Sequence, residues 1–271
     1  MDKVLADYLA LVETTKANNT FVAYRNSLKN WFPDGKVDLS ISYINSVIKT
    51  WNNLSRNTKA LRCVTLRKFI DFIHRDKPIE NYDTLEEMLS SFSAKAVVPE
   101  CATVEQFKTI YNSCNDIRYK IVIALMFENG LRESEVLNIK TADYDYEQKT
   151  IKLVDTKNGN DYLIHLTDRL NNLIKEVADN SEYPIHSRTN KPIHPANLRK
   201  TIKNICVTCG YPKLHCHSFR HGSATTLLNN HVDLFVIKEH LRHKSIQSTQ
   251  RYLHISEQQQ KQVQNVFSEI L

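Results

Sequence analysis

Six side chains between positions 132 and 252, namely Arg132, Lys157, His217, Arg220, His243 and Tyr252, hold the charges and proton-transfer groups needed to break and remake a phosphodiester without a metal ion. Guanidinium groups fork onto phosphoryl oxygens, imidazoles and an ammonium move protons, and a phenol can act as a nucleophile. Each residue alone is weak. A lone arginine at a helix start is most often solvated or in a structural ion pair, and a tyrosine near a C-terminal helix most often packs. Their joint order, spacing and neighbours carry the signal.

In Asn129-Gly130-Leu131-Arg132-Glu133-Ser134-Glu135 a glycine ends an apolar helix and Arg132 begins another, with Val136 and Ile139 on its apolar side. Arg132 and Glu135 then share a face at i, i+3. His217-Ser218-Phe219-Arg220-His221 places His217 and Arg220 on one face in the same way. Leu241-Arg242-His243 follows, and Ser245, Ser248 or Thr249 can cap the helix that bears Tyr252.

The elements that must position these groups are mostly helical. Val4, Leu5, Tyr8, Leu9 and Val12 recur at helical spacing; Thr20 can cap a second helix through Tyr24, Leu28 and Trp31, punctuated by Pro33-Asp34-Gly35. Ile41, Ile44, Val47 and Ile48, then Leu61, Val64, Leu66, Phe69, Ile70 and Ile73, continue the pattern into a bundle of four or five helices. The small, polar, proline-interrupted stretch at 90–99 reads as an interdomain linker. Beyond it, helices are expected over 103–114 and 117–128, the second apolar enough to be central and buried. Asn158-Gly159 between Thr150–Val154 and Tyr162–Leu166 signals a β-hairpin that displays Lys157 beside its turn. Helices resume over 168–178, 195–209, 217–230 and 233–241.

The formal charge of +6 is modest, but it is segregated. Eight Lys/Arg face only Asp71 and Asp76 between Lys49 and Lys77, and eleven face only Asp233 and Glu239 between His186 and Tyr252. Two such surfaces suit a polyanion, and they equally suit solvated helix faces; charge alone does not separate the two. No apolar run approaches a bilayer span and the N-terminus lacks a signal pattern, so a cytoplasmic protein with reduced thiols is expected. Cys206-x-x-Cys209 with His215, Cys216 and His217, and the pair His217 and His221, carry metal-ligand types. Cys206, however, shares an apolar helix face with Ile202 and Ile205, Cys209 precedes the helix-ending Gly210, and His217 is required elsewhere, so no metal is expected.

Taken together, Gly-Leu-Arg-x-x-Glu at 130–135, a hairpin lysine at 157, His-x-x-Arg-His at 217–221, Leu-x-His at 241–243 and Arg-Tyr-x-His at 251–254 resemble the tyrosine recombinases of the phage integrase family over nearly the whole chain. The resemblance implies a mainly α fold with a small antiparallel β-sheet. A helical, SAM-like core-binding bundle (1–92) and a linker (93–100) would precede a catalytic domain (101–271), with no separate arm-binding domain before the bundle. It implies that Arg132 and Arg220 clamp the scissile phosphate while Tyr252 attacks it to form a 3′-phosphotyrosyl ester. Lys157 would protonate the leaving 5′-oxygen, with Lys152 the second candidate. His217 would take the tyrosine proton, His243 would bond a non-bridging oxygen, and Glu135 and His221 would support the shell. A tyrosine hydroxyl is mostly protonated at neutral pH, so cationic surroundings are needed.

Site-specific recombination without cofactor, metal or ATP follows, on double-stranded DNA sites, in a homo-tetramer, alongside accessory directionality or host factors. Val263, Val266, Phe267 and Ile270 give 258–271 an apolar stripe for docking on a neighbouring subunit. A type IB topoisomerase-like relaxation and a non-catalytic DNA-binding regulator are the alternatives. The chain departs from the family pattern twice. Arg242 stands where glycine is usual before the third-box histidine, and Asp155-Thr156-Lys157-Asn158-Gly159 replaces Gly-Lys-Gly at the hairpin.

Overall fold

Capping side chains set where most N-terminal helices begin. In the computed structural model, which describes residues 1–94, 99–155, 160–177, 182–187, 191–243 and 245, Asp2, Ser40 and Ser55 accept backbone N–H bonds at the starts of α1 (Lys3–Thr15), α3 (Ile41–Lys49) and α4 (Arg56–Asp76). These bonds satisfy donors that a first helical turn leaves open. The second helix differs from expectation. α2 (Asn18–Trp31) begins before Thr20, with Ala17 at its N-cap and no side-chain cap. α5 (Tyr82–Ser90) completes the unit Met1–Val97.

Its core is aromatic: Trp31 and Trp51 meet edge-on with ring centroids 4.6 Å apart, and Trp31 Nε1 donates to the Arg62 carbonyl at 3.0 Å. That bond satisfies the indole N–H of a fully buried ring. Leu61 and Val64, expected on the apolar side of α4, are 47% and 40% exposed. Cys63, Leu66, Phe69 and Ile70 already fill the buried side of the helix, and these two positions fall off it.

The second unit, Val98–Leu271, is organised around α7 (Ile117–Glu128), in which every residue from Ile121 to Phe127 is buried. α6 (Val104–Ser113), which opens with a Thr103–Gln106 capping box, α9 (Asp168–Val177) and α11 (Cys216–Asn229) pack around it. Gly222 makes the α11 contact close: a Cβ there would lie 2.2 Å from the Ala102 carbonyl oxygen and 2.9 Å from Phe127 Cε2. α10 (Pro195–Thr208) buries Leu198, Ile202 and Cys206 against the same core, so Cys206 does sit on an apolar helix face.

The hairpin pairs β2 (Thr150–Asp155) with β3 (Asn160–His165), Ile151 opposite Ile164, and buried Ile151 and Leu153 alternate with exposed Val154. A short β1 (Tyr144–Asp145), not expected from sequence, adds a third antiparallel strand in the order β1-β2-β3. Two residues show too little alternation to be read as a strand. α8 (Glu133–Leu137) and α12 (Leu234–His240) are the short helices that frame the site.

Candidate active site

Gly130 lets α7 stop where Arg132 must begin. Its φ of +57° lies in the left-handed region, and a Cβ would approach Leu241 Cδ2 to 2.7 Å and His240 Nε2 to 3.2 Å. The turn after α7 is therefore pressed directly against the end of α12. Between these two chain segments the arginines gather.

Arg132 is the N-cap of α8 and not part of its first turn, and Ile139 lies beyond the helix, which is shorter than expected. Glu135 reaches back along the turn. Its Oε2 accepts the Arg132 backbone N–H at 2.8 Å, and its Oε1 pairs with Arg132 Nη1 at 2.5 Å. Arg220 arrives from α11, where Nη1 donates to the Gly130 carbonyl at 2.5 Å, Nη2 donates to the Leu241 carbonyl, and Glu135 Oε2 lies 3.8 Å away. A third guanidinium, Arg242, reaches Glu135 Oε2 from Nη2 at 3.1 Å. One carboxylate thus meets three arginines, and the cluster keeps an excess of positive charge.

The arginines differ in what they offer an incoming anion. The Arg132 side chain is 37% exposed and that of Arg220 only 6%, so Arg132 faces solvent while Arg220 is anchored by the two carbonyls. Burial pushes the Glu135 carboxyl upward. The charge of Arg242, the backbone N–H of Arg132 and the charges of Arg132 and Arg220 outweigh it and hold the group below the usual carboxylate range. Glu135 is an anion that orients cations.

His217 lies in the first turn of α11, whose start is tied by the His215 N–H donating to Ser218 Oγ at 3.2 Å. Its surface is partly open, yet protein crowding on the remaining side, then the charges of Arg220, Arg199 and Arg132, hold its imidazole below the ordinary histidine range. A neutral imidazole follows at pH 7, which is the form that accepts a proton. His217 opens on a cleft of about 380 Å³ lined by Glu133, Arg199, Lys200, Lys203, His215 and Cys216. Arg199 pairs there with the buried Glu133 at 3.2 Å. His221 follows Arg220 on α11, and its carbonyl accepts from Thr225 Oγ1 at 3.0 Å.

His243 directly follows the helix end that the sequence left in question. The Arg242 N–H donates to the Glu239 carbonyl at 2.9 Å and the His243 N–H to the Lys238 carbonyl at 3.0 Å, so α12 closes as glycine-ended helices do, with Arg242 held at φ +52° in the left-handed region. Lys152, the second candidate acid, pairs with Asp161 Oδ2 at 2.8 Å across the hairpin, and its ammonium is engaged. It lines a cavity of about 450 Å³ shared with Glu135, Asn138, Tyr162 and Arg242. Lys157, Tyr252 and the segment 258–271 lie outside the described residues.

Sequence reasoning missed two groups. Arg242 stands out in sequence as a departure from the pattern, and nothing there shows that its side chain reaches Gly130 and Glu135. His240, whose Nε2 meets Ser223 Oγ at 3.2 Å, carried no sequence signal; burial, then Arg242 and Arg220, lower its imidazole to about 4.

The model of the phage integrase family matches residues 100–259. A tyrosine recombinase of Thermosipho africanus is 25% identical over 96% of this chain and 97% of its own length. Among solved structures, the XerH recombinase in a post-cleavage complex with its difH substrate superposes with a TM-score of 0.74 at 20% identity, covering 92% of this chain and 80% of that one. A lambda integrase tetramer bound to a Holliday junction superposes with a TM-score of 0.71 at 16% identity, covering 89% and 76%.

Proposed function

The chain belongs to the phage integrase family, and from that premise we propose that it is a site-specific DNA recombinase that cleaves and rejoins strands through a 3′-phosphotyrosyl ester on Tyr252. The observation that carries this reading is the convergence of Arg132 and Arg220 at Glu135, Arg220 also bonded to the Gly130 carbonyl, with His217 held neutral close by. Guanidiniums fixed before the reaction stabilise a pentacoordinate phosphate without reorganising, which is where the larger part of such catalysis comes from.

In this reading Arg132 and Arg220 contact the non-bridging oxygens and His243 bonds one of them. His217 takes the phenolic proton of Tyr252, and Lys157 protonates the 5′-oxygen as it leaves. The O–P bond to tyrosine forms as the O–P bond to the 5′-carbon's oxygen breaks. The ester therefore stores the energy of the cleaved linkage, and a second 5′-hydroxyl reverses the step without ATP. Glu135 and His221 support these groups, and no metal or cofactor takes part.

The partner is duplex DNA carrying recombination sites. The XerH structure holds such a substrate and the lambda integrase structure holds a Holliday junction as a tetramer; by analogy, four copies act on two duplexes here, the apolar stripe of 258–271 docks in trans, and directionality or host factors assist. Removing 258–271 is then expected to weaken synapsis more than cleavage, and equal loss of both would contradict docking in trans. No described helix is long and apolar enough to cross a membrane, which agrees with a cytoplasmic, DNA-associated enzyme. The named relatives are recombinases and integrases, which favours recombination over the topoisomerase-like and regulatory alternatives.

The test is a nicked duplex bearing a site recovered by binding selection, incubated with wild-type or Tyr252→Phe protein in EDTA. A covalent adduct is expected with wild-type only. An adduct with the phenylalanine variant, or cleavage abolished by the chelator, contradicts the reading.

A further inference from the structure

Arg242 does two things at once. Its backbone occupies the left-handed region, where glycine is favoured, and its guanidinium turns back beneath the start of α8. There Nη2 donates to the Gly130 carbonyl at 2.9 Å and to Glu135 Oε2 at 3.1 Å, and Nη1 donates to the His240 carbonyl at 2.7 Å. Its own carbonyl accepts from Arg132 Nη2 at 3.1 Å. The side chain is 4% exposed, and both arms of its fork are taken up by the Gly130 and His240 carbonyls and the Glu135 carboxylate. Arg242 thus touches Arg132 through its backbone and shares both the Gly130 carbonyl and the Glu135 carboxylate with Arg220.

Resting on the recombinase reading above, we infer that Arg242 is a positioning residue: it neutralises Glu135 through its own ion pair, which leaves the positive charge of Arg132 and Arg220 directed at the scissile phosphate. A carboxylate shared by only two guanidiniums would cancel half of their charge. Shared by three, with Arg242 also held by the Gly130 and His240 carbonyls, it leaves the cluster two net positive charges, the equivalent of Arg132 and Arg220, for the phosphate.

Arg242→Gly isolates this role. Glycine accepts the backbone conformation and keeps the carbonyl that holds Arg132, so only the guanidinium is lost. The rate of covalent adduct formation at saturating protein is expected to fall about tenfold to a hundredfold, the usual range for groups that support a reacting shell. DNA affinity is expected to stay within about threefold, because Arg132 and Arg220 still meet the phosphate. The second reading is coupling. Glu135→Gln alone slows cleavage, and adding it to Arg242→Gly is expected to cost no further rate, since the charge that Arg242 balances is then gone.

Wild-type cleavage with an Arg242→Gly rate within about threefold of it overturns the inference and leaves the recombinase reading standing. Multiplicative losses in the double variant, or equal losses in rate and DNA affinity, reduce Arg242 to a structural contact and also overturn it. If Arg242→Gly does not fold, Arg242→Lys restores a cation without the fork: partial recovery of rate supports the inference, and a rate as low as that of Arg242→Met overturns it. Absence of an adduct with wild-type protein overturns the recombinase reading itself.

Discussion

Arg220 Nη1 donates to the carbonyl of Gly130 at 2.5 Å, a bond that joins α11 to the turn between α7 and α8 across ninety residues of sequence. With Nη2 on the Leu241 carbonyl, both ends of the guanidinium fork are held by backbone. A lysine can satisfy one of these carbonyls and not both.

Arg220→Lys is therefore expected to retain the fold and to lose about a hundredfold or more in single-turnover adduct formation, comparable to deleting one preorganised donor from an anion-stabilising site. A lysine variant within about threefold of wild-type would show that fork geometry at this position is dispensable.

His217 sets a pH dependence of cleavage. Crowding, then Arg220, Arg199 and Arg132, lower its imidazole from 6.5, so the neutral form persists below that pH. As pH falls from 8, the contribution of His217 as base is expected to hold through 6.5 and to decline only beneath it, with the acid limb absent from His217→Ala. An acid limb centred at or above 6.5, or one unchanged in His217→Ala, is the contrary result.

His240 sets a pH dependence of stability. Its folded-state value of about 4 lies below the unfolded 6.5, so the unfolded chain binds the proton more readily between these values. Its contribution is fully present above 6.5 and is lost as pH falls toward 4, by up to about 3 kcal/mol. Glu135, also depressed, acts in the same direction at lower pH. Denaturant titrations from pH 7 to 4 are expected to show this loss in wild-type and a flatter profile in His240→Asn; identical slopes contradict it.

Gly222→Ala is expected to destabilise the second unit by about 2 kcal/mol or more, because the added carbon would meet the Ala102 carbonyl oxygen at 2.2 Å and backbone yields little. Thermal denaturation reads this directly, and an unchanged melting temperature would mean that α11 and the backbone at Ala102 separate freely.

The parts of the molecule written in periodicity were legible in the sequence. α7 spans Ile117–Glu128 as its apolar run predicts, and the β2–β3 pairing agrees with the flanking β-branched runs, because burial over many residues leaves an unmistakable pattern. Element starts without a capping side chain and the shortest strand were not. α2 begins at Asn18 after Ala17, with no capping side chain to mark its start, and β1 is too brief to alternate. At the site, spacing paired Arg132 with Glu135 and the family resemblance brought Arg220 to Arg132, whereas the reach of Arg242 under α8 depends on a left-handed backbone at a non-glycine residue. Local propensity disfavours that conformation at a non-glycine residue, and the helix-end bonds to Glu239 and Lys238 together with the tertiary bonds of the guanidinium hold it.

The central claim is that the phenolic oxygen of Tyr252 becomes esterified to DNA. Protease digestion of a trapped adduct, followed by mass spectrometry of the nucleotide-bearing peptide, tests it most directly. The account expects one modified peptide, carrying a 3′-phosphate ester on Tyr252. A nucleotide attached to any other residue, such as Tyr162 beside the Glu135 and Arg242 cavity, would contradict it.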